Sequence, residues 1–250
     1  MSGLTPQEET RYARHLALPS IGLEGQLKLK AARVLLVGAG GLGSAIAMYL
    51  AGTGIGTLGI VDDDEVSLSN LQRQVLHGTA QLGQPKTESA RSRLEDLNPD
   101  VCIQTHQERF TRKRGREIAM DYDIIVDGTD NFPTRYDIND VCLQSGIPYV
   151  YGAIFRLQGQ ASVFCTQEGP CYRCLFPDPP PAESVRTGAQ AGIFGAIPGT
   201  IGTIQATEVV KWIVGFGEPL VSRLLVYEAG SMRFDEIAIS KNPSCNACGH

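Results

Sequence analysis

The stretch Val34-Leu35-Leu36-Val37-Gly38-Ala39-Gly40-Gly41-Leu42-Gly43 constrains this chain more than any other. A short apolar run stops in a cluster of glycines and opens at once into Ser44-Ala45-Ile46-Ala47-Met48-Tyr49-Leu50. That pattern reads as a buried strand, a tight turn and the start of a helix. Glycines let the turn form and let a phosphate approach the backbone N–H groups bared at the helix start, where the helix dipole favours negative charge. Gly38, Gly40 and Gly43 fit the spacing of a dinucleotide-binding fingerprint. Asp62 follows where a ribose-binding acid is expected, about 20 residues on. Alone, the signal means only a nucleotide.

Alternation around this turn sets the fold class. Strand 33–37, helix 42–53, strand 57–61, helix 85–97, strand 101–106, helix 112–120, strand 123–127 and helix 133–145 follow one another in the hydrophobic pattern. Short strands separated by helices predict an α/β chain with a Rossmann-like, mostly parallel sheet and helices on both faces. Ahead of it, Thr5–Leu18 reads as one helix with Thr5 as cap, Pro6 in the first turn and Glu8 closing a capping box. After Pro148 the pattern changes. Tyr149–Phe155 and Gln160–Cys165 alternate about Arg156-Leu157-Gln158-Gly159, which predicts a hairpin. A helix near 200–214 and strands near 223–227 and 232–239 close the chain. The expected organisation is a single domain over 1–250: a helical arm over 1–32, a nucleotide-binding half over 33–147, and a C-terminal β half over 148–250.

At 250 residues, 42% of them hydrophobic and 20% charged, the chain can bury a sizeable core. A formal net charge of -5 argues against a general nucleic-acid binder. The run Arg109, Arg112, Lys113, Arg114, Arg116 is read as a solvated helix face. No basic start followed by an apolar run marks a signal peptide, and the longest apolar tract, near 191–204, is broken by Gly and Pro, so neither export nor a membrane span is expected. The expected location is the cytoplasm, where the seven cysteines are reduced thiols or metal ligands.

Four of those cysteines fall into two pairs, Cys171-Tyr172-Arg173-Cys174 and Cys245-Asn246-Ala247-Cys248. Two Cys-x-x-Cys pairs supply four soft ligands, which suits a closed, structural, tetrahedral zinc site stapling the tail to the middle of the chain. A redox dithiol is the alternative for either pair alone. Cys102, Cys142 and Cys165 are read as small core residues.

The common owner of such a glycine turn is a nicotinamide dehydrogenase. Further residues point elsewhere: Arg73 and Lys86 are cations placed after the second strand, and Asp130 sits just beyond the end of another strand. Two cations and a carboxylate around a phosphate-binding turn fit Mg-triphosphate better than a diphosphate bridge.

With these pieces together, the chain resembles the ThiF/MoeB/HesA family, the bacterial relatives of ubiquitin-activating enzymes. The resemblance rests on Arg11-Tyr12-x-Arg14, the Gly38–Gly43 turn, the Asp62–Gln74 run, Pro85-Lys86, Thr129-Asp130-Asn131, both cysteine pairs, and Gly199-x-x-Gly202-x-x-Gln205-Ala206-x-Glu208. It implies a homodimer built on a mixed, mostly parallel sheet, with 148–250 as the carrier-binding and zinc half, that adenylates the C-terminal glycine of a small ubiquitin-like sulfur carrier ending in Gly-Gly, in molybdopterin, thiamin or related biosynthesis. Carried over, Gly41 packs against the nucleotide and Asp62 holds the ribose. Ser69, Asn70, Leu71, Gln72, Arg73, Lys86 and Asn131 line the ATP site, Asp130 coordinates Mg²⁺, and Arg14 reaches the partner subunit's phosphates. A family member turned to another substrate, as a tRNA-modifying or peptide-tail adenylase, is the alternative reading; a nicotinamide oxidoreductase or silent zinc scaffold is a third.

One departure bears on mechanism. Many members carry a loop cysteine shortly before the Ala-Gly that leads into the Gly-rich helix. Here that place is Gly188, and no cysteine lies between Cys174 and Cys245. An enzyme-linked thioester is therefore not expected, and the sulfur donor would be external.

Overall fold

The computed structural model describes residues 3–181 and 192–249. Gly188 and the rest of the loop carrying the family's cysteine position lie outside them. The chain begins with α1 (Pro6–Arg11), α2 (Ala13–Leu16) and α3 (Gly22–Ala31). The Thr5–Glu8 capping box forms: Glu8 N–H donates to Thr5 Oγ1 at 3.2 Å and Thr5 N–H to Glu8 Oε2 at 2.7 Å. The expected single helix over 5–18 is instead broken at Tyr12 (φ -98, ψ 14). Tertiary contact overrides helical propensity there. Tyr12 is buried, with its hydroxyl accepting from Asn98 Nδ2 at 2.9 Å and its ring filling the space a Cβ on Gly54 would need.

From there β1 (Arg33–Val37), α4 (Gly41–Thr53), β2 (Thr57–Val61), α5 (Lys86–Leu97), β3 (Cys102–His106), α6 (Arg112–Ala119), β4 (Ile124–Asp127) and α7 (Phe132–Ser145) alternate. They continue into β5 (Tyr149–Phe155), β6 (Gln158–Phe164), α8 (Tyr172–Leu175), α9 (Ala196–Val214), β7 (Arg223–Glu228) and β8 (Arg233–Ala238). All strands join one eight-stranded sheet in the order β3-β2-β1-β4-β5-β6-β7-β8. Pairings from β3 through β5 are parallel and those from β5 through β8 antiparallel, so the Rossmann-like, mostly parallel mixed sheet is present. The C-terminal β part extends that same sheet.

Strand parity sorts the core. Val34 and Leu36 of β1 face a cluster with Ile46 and Leu50 of α4, Leu94 of α5 and Ile201 of α9. Leu35 and Val37 face the other cluster, with Ile118 of α6, Val141 of α7 and Tyr172 of α8. Helices on both faces leave the inner strands no polar side, so they read as continuous apolar runs.

Two details differ from the sequence reading. The β5–β6 hairpin turns at Arg156-Leu157 alone, with Phe155 opposite Gln158 and Arg156 left-handed at φ 57. Gly159 is therefore a strand residue, small because a Cβ there would lie 2.2 Å from Ile201 on α9. Cys102 is exposed where a core residue was expected, because β3 is the sheet edge. Among the described residues no helix is long and apolar enough to cross a membrane.

Topology fixes where a ligand goes. The chain leaves β1 toward β2 and β3, then crosses back to β4 on the other side of β1. The carboxyl ends of β1 and β4 flank that reversal, the usual place for a ligand in an open α/β sheet.

Candidate active site

The glycine turn leaves β1 at this switch point. Gly38 is held at φ 95, where a side chain would be strained, and a Cβ on Gly43 would lie 2.0 Å from Gly38 O. Only glycine lets α4 start so close to β1. Gly40 caps α4 without a side-chain hydrogen bond, so the helix's first N–H groups keep their donors for an outside acceptor. Asp62, just past β2, pins the turn from the side: its Oδ2 accepts from Ala39 N at 2.7 Å and its Oδ1 from Asp64 N at 2.8 Å. Burial raises the Asp62 carboxyl above its ordinary value, against the opposing pull of Lys86.

A cleft of about 320 Å³ opens over this turn. Gly41, Asp62, Arg73, Lys86, Asp130 and Asn131 all line it, so six of the residues expected from sequence converge. Lys86 starts α5 with a buried stem, its Nζ 2.7 Å from Asp64 Oδ2, and its N–H bonds Asp64 O at 2.9 Å. Arg73 is oriented by Asn70 Oδ1 at 3.0 Å and Ser69 O at 3.3 Å. Asn131 caps α7 by accepting from Thr134 N at 3.0 Å, which leaves its amide NH₂ for other partners. Gly41 borders the cleft, but a Cβ there would meet Pro198 of α9 at 3.0 Å. Its smallness also serves the packing of α4 on α9.

Other expected residues stand outside. Ser69, Asn70, Leu71 and Gln72 do not border the cleft; Ser69 and Asn70 hold Arg73 instead. Arg14 is exposed on α2 and is not part of this chain's own cleft. Sequence reasoning missed Arg109, which lines the cleft though it was grouped with the solvated arginines of α6. It also missed Gln74, buried against Gly40.

Asp130 belongs to two cavities. A second cavity of about 270 Å³ shares Asp130, Ile154 and Ile193 with the cleft and is walled by Phe132, Tyr151, Tyr172 and Phe176. Behind it lies a buried polar network. Asp127 Oδ1 accepts from Thr129 N and Oγ1 at 2.8 and 2.6 Å, and its Oδ2 accepts from Tyr149 at 2.7 Å. Arg135 Nε lies 3.5 Å from that Oδ2, and Arg135 Nη2 donates to Thr129 O at 3.1 Å. Gln205 of α9 donates to Asp127 O at 2.7 Å. These bonds clamp the segment that presents Asp130.

The two cysteine pairs meet although 74 positions separate them. Sγ–Sγ distances are 3.9 Å for Cys171–Cys174, 3.7 Å for Cys171–Cys245 and 3.4 Å for Cys174–Cys248. A tetrahedron with metal–sulfur bonds of about 2.3 Å has edges of about 3.8 Å, and a disulfide needs about 2.05 Å. The four thiols therefore fit one closed tetrahedral metal site, which Asn242 supports by donating its N–H to Cys174 Sγ at 3.4 Å.

Comparisons with known proteins show what the chain is similar to as a whole. The ThiF family model matches residues 12–247. The chain is 45% identical over 250 residues to the sulfur carrier protein adenylyltransferase of Thermus thermophilus, covering 98% of this chain and 92% of that one. It is 47% identical over 239 residues to the SAMP-activating enzyme E1 of Haloferax volcanii, covering 96% and 88%. Among solved structures, E. coli MccB with ATP superposes with a TM-score of 0.84 at 23% identity, covering 96% of this chain and 75% of that one, a likeness of fold.

Proposed function

The chain belongs to the ThiF family, and on that premise we propose that it is an adenylyltransferase acting on a small ubiquitin-like sulfur carrier. The observation that carries the reading is the junction of two unlike cavities at Asp130. The charged cleft suits a nucleoside triphosphate. The aromatic-walled cavity suits the slender C-terminal tail of a protein, and Gly-Gly is the tail with least side chain to exclude. Their shared wall brings a terminal carboxylate toward the α-phosphate.

Chemistry at such a junction needs no general base. A C-terminal carboxylate, with a pKa of about 3.5, is already the nucleophile at neutral pH. Its oxygen forms the bond to the α-phosphorus, the bond to the β-phosphate oxygen breaks, and pyrophosphate leaves with that electron pair. What the protein supplies is alignment and neutralisation of charge. In this reading Asp62 holds the ribose hydroxyls, and Arg73 and Lys86 hold the phosphates with Asn70 and Ser69 behind them. The exposed carboxylate of Asp130 fits a divalent cation. Magnesium there, when bound, offsets charge on the leaving phosphates. Arg14, exposed and outside its own cleft, fits a role in the partner's site of a homodimer.

The four thiols fit structural zinc best, since every tetrahedral position is taken by sulfur and none is left for substrate. With glycine at position 188 and no cysteine from 175 to 244, we infer that the adenylate passes to an external sulfur donor in the cytoplasm. The acidic net charge of -5 gives no support to a tRNA substrate.

ATP–pyrophosphate exchange with a panel of small carriers ending in Gly-Gly tests the proposal. Exchange should require the carrier and vanish when its last glycine is deleted. Carrier-independent exchange, or none with any carrier despite ATP binding, would refute it.

A further inference from the structure

The glycine turn is held by a second side chain from behind, His77. This histidine lies in the loop between β2 and α5 and is 7% exposed. Its Nε2 is 2.8 Å from Ala39 O, inside the turn, and its Nδ1 is 2.9 Å from Ser89 Oγ on α5. A carbonyl only accepts, so Nε2 carries the hydrogen and Nδ1 takes the Ser89 hydroxyl proton. Burial pushes the imidazole below its ordinary value, with Lys86 adding to the effect and Asp62 and the Ala39 bond opposing it, which keeps this neutral tautomer at neutral pH.

Ala39 is thereby fixed at both ends. Its N–H is held by Asp62 and its C=O by His77. The Ala39–Gly40 peptide bond is trans, and across a trans peptide the C=O and the following N–H point in opposite directions. With Ala39 O drawn back to the buried imidazole, the N–H of Gly40 points forward. Gly40 lines the cleft and Ala39 does not, and the Gly40 N–H has no acceptor among the described residues. The other imidazole nitrogen ties the same unit to α5, the helix that begins with Lys86.

We propose that His77 is a positioning residue for nucleotide phosphate. It aims the Gly40 N–H into the cleft and couples the glycine turn to the helix that presents Lys86. The inference rests on reading the cleft as a nucleotide site, and it concerns ATP binding alone, with no carrier involved.

The test is calorimetric titration of MgATP and of adenosine into wild-type protein and the variants His77→Gln, His77→Asn and His77→Phe. A glutamine amide places an N–H where Nε2 was; an asparagine amide reaches only the Nδ1 position. MgATP affinity should fall about tenfold in His77→Phe and His77→Asn and stay within about threefold of wild type in His77→Gln, with adenosine affinity unchanged in all three. A role confined to stability would lower the melting temperature without this Gln–Asn split. Equal loss for Gln and Asn, equal loss for adenosine, or no loss in His77→Phe would each overturn the proposal. A failure of adenylation to any carrier, with MgATP still bound and the split intact, would count against the carrier reading and leave the His77 inference standing.

Discussion

Arg135 should be the residue whose loss most damages both the fold and the site. It is buried with Asp127, its Nε 3.5 Å from an Asp127 oxygen, and Asp127 has no exposure to solvent. Burial alone lifts the Asp127 carboxyl above its ordinary value, while Arg135 and the bonds from Thr129 and Tyr149 oppose the shift. Arg135→Met keeps most of the volume and deletes the compensating charge. Leaving one partner of a buried pair uncompensated costs about 3–5 kcal/mol. For a chain of this size that is a melting-temperature drop of roughly 10 °C.

The sign of the pH dependence is fixed. Without Arg135, the folded pKa of Asp127 stands further above its unfolded value of about 3.9, so the native chain holds a proton that the unfolded chain releases. Stability from that proton is present at low pH and is lost as pH rises through the folded pKa. Urea unfolding should therefore show a larger deficit at pH 8 than at pH 5, and Asp127→Asn combined with Arg135→Met should recover most of it. A deficit below about 1 kcal/mol at pH 8, the same deficit at both pH values, or no recovery in the double variant would refute the argument.

Other perturbations separate the remaining roles. Asp130→Ala, an exposed change, should leave the melting temperature within about 2 °C of wild type and lower carrier-dependent ATP–pyrophosphate exchange by about 10²-fold or more; near-normal exchange would remove Asp130 from the reaction. Elemental analysis should find one zinc per chain. Cys248→Ser should lose it and destabilise the protein, whereas a folded wild-type chain free of metal would contradict the thiolate site. If Arg14 acts across a two-fold dimer, separately inactive Arg14→Ala and Asp130→Ala chains mixed after subunit exchange should regain about a quarter of wild-type exchange, because half of the sites in each mixed dimer are intact. No regain despite verified mixed dimers would place Arg14 in its own subunit's chemistry or outside it.

How far sequence reached depended on the range of the determining contacts. The turn at Gly38–Gly43 and the position of Asp130 were legible because each follows directly from the end of its own strand. The convergence of the cysteine pairs was legible from ligand chemistry, although nothing in the intervening residues shows how they meet. Arg109 was not legible: charge pattern groups it with α6, but it precedes that helix and lines the cleft. His77 has no repeating partner or spacing to mark it, and its meaning comes from Ala39 and Ser89, which only the fold brings near. Gly159 looked like a turn glycine because the residue that requires its smallness, Ile201 on α9, is remote from it in sequence and only the fold brings it near.

The environments of the carboxylates explain why this glycine turn serves triphosphate chemistry better than hydride transfer. Five carboxylates border the cleft: Asp62, Asp63, Asp64, Glu108 and Asp130. Asp62 is engaged by backbone N–H groups, Asp64 by Lys86 and Glu108 by Arg114. Asp63 and Asp130 have no hydrogen-bond or ion-pair partner among the described residues, and only Asp130 also borders the aromatic cavity. The segment before it is clamped by a buried ion pair and a Thr129 hydroxyl, so the chain has fixed the position of a carboxylate that it does not neutralise. In the proposed reading, an unneutralised carboxylate in a cleft that also holds Arg73 and Lys86 would favour a polyphosphate that arrives with a divalent cation. Its place on the boundary of both cavities would, in that reading, set the cation beside the phosphates that the carrier's own carboxylate approaches.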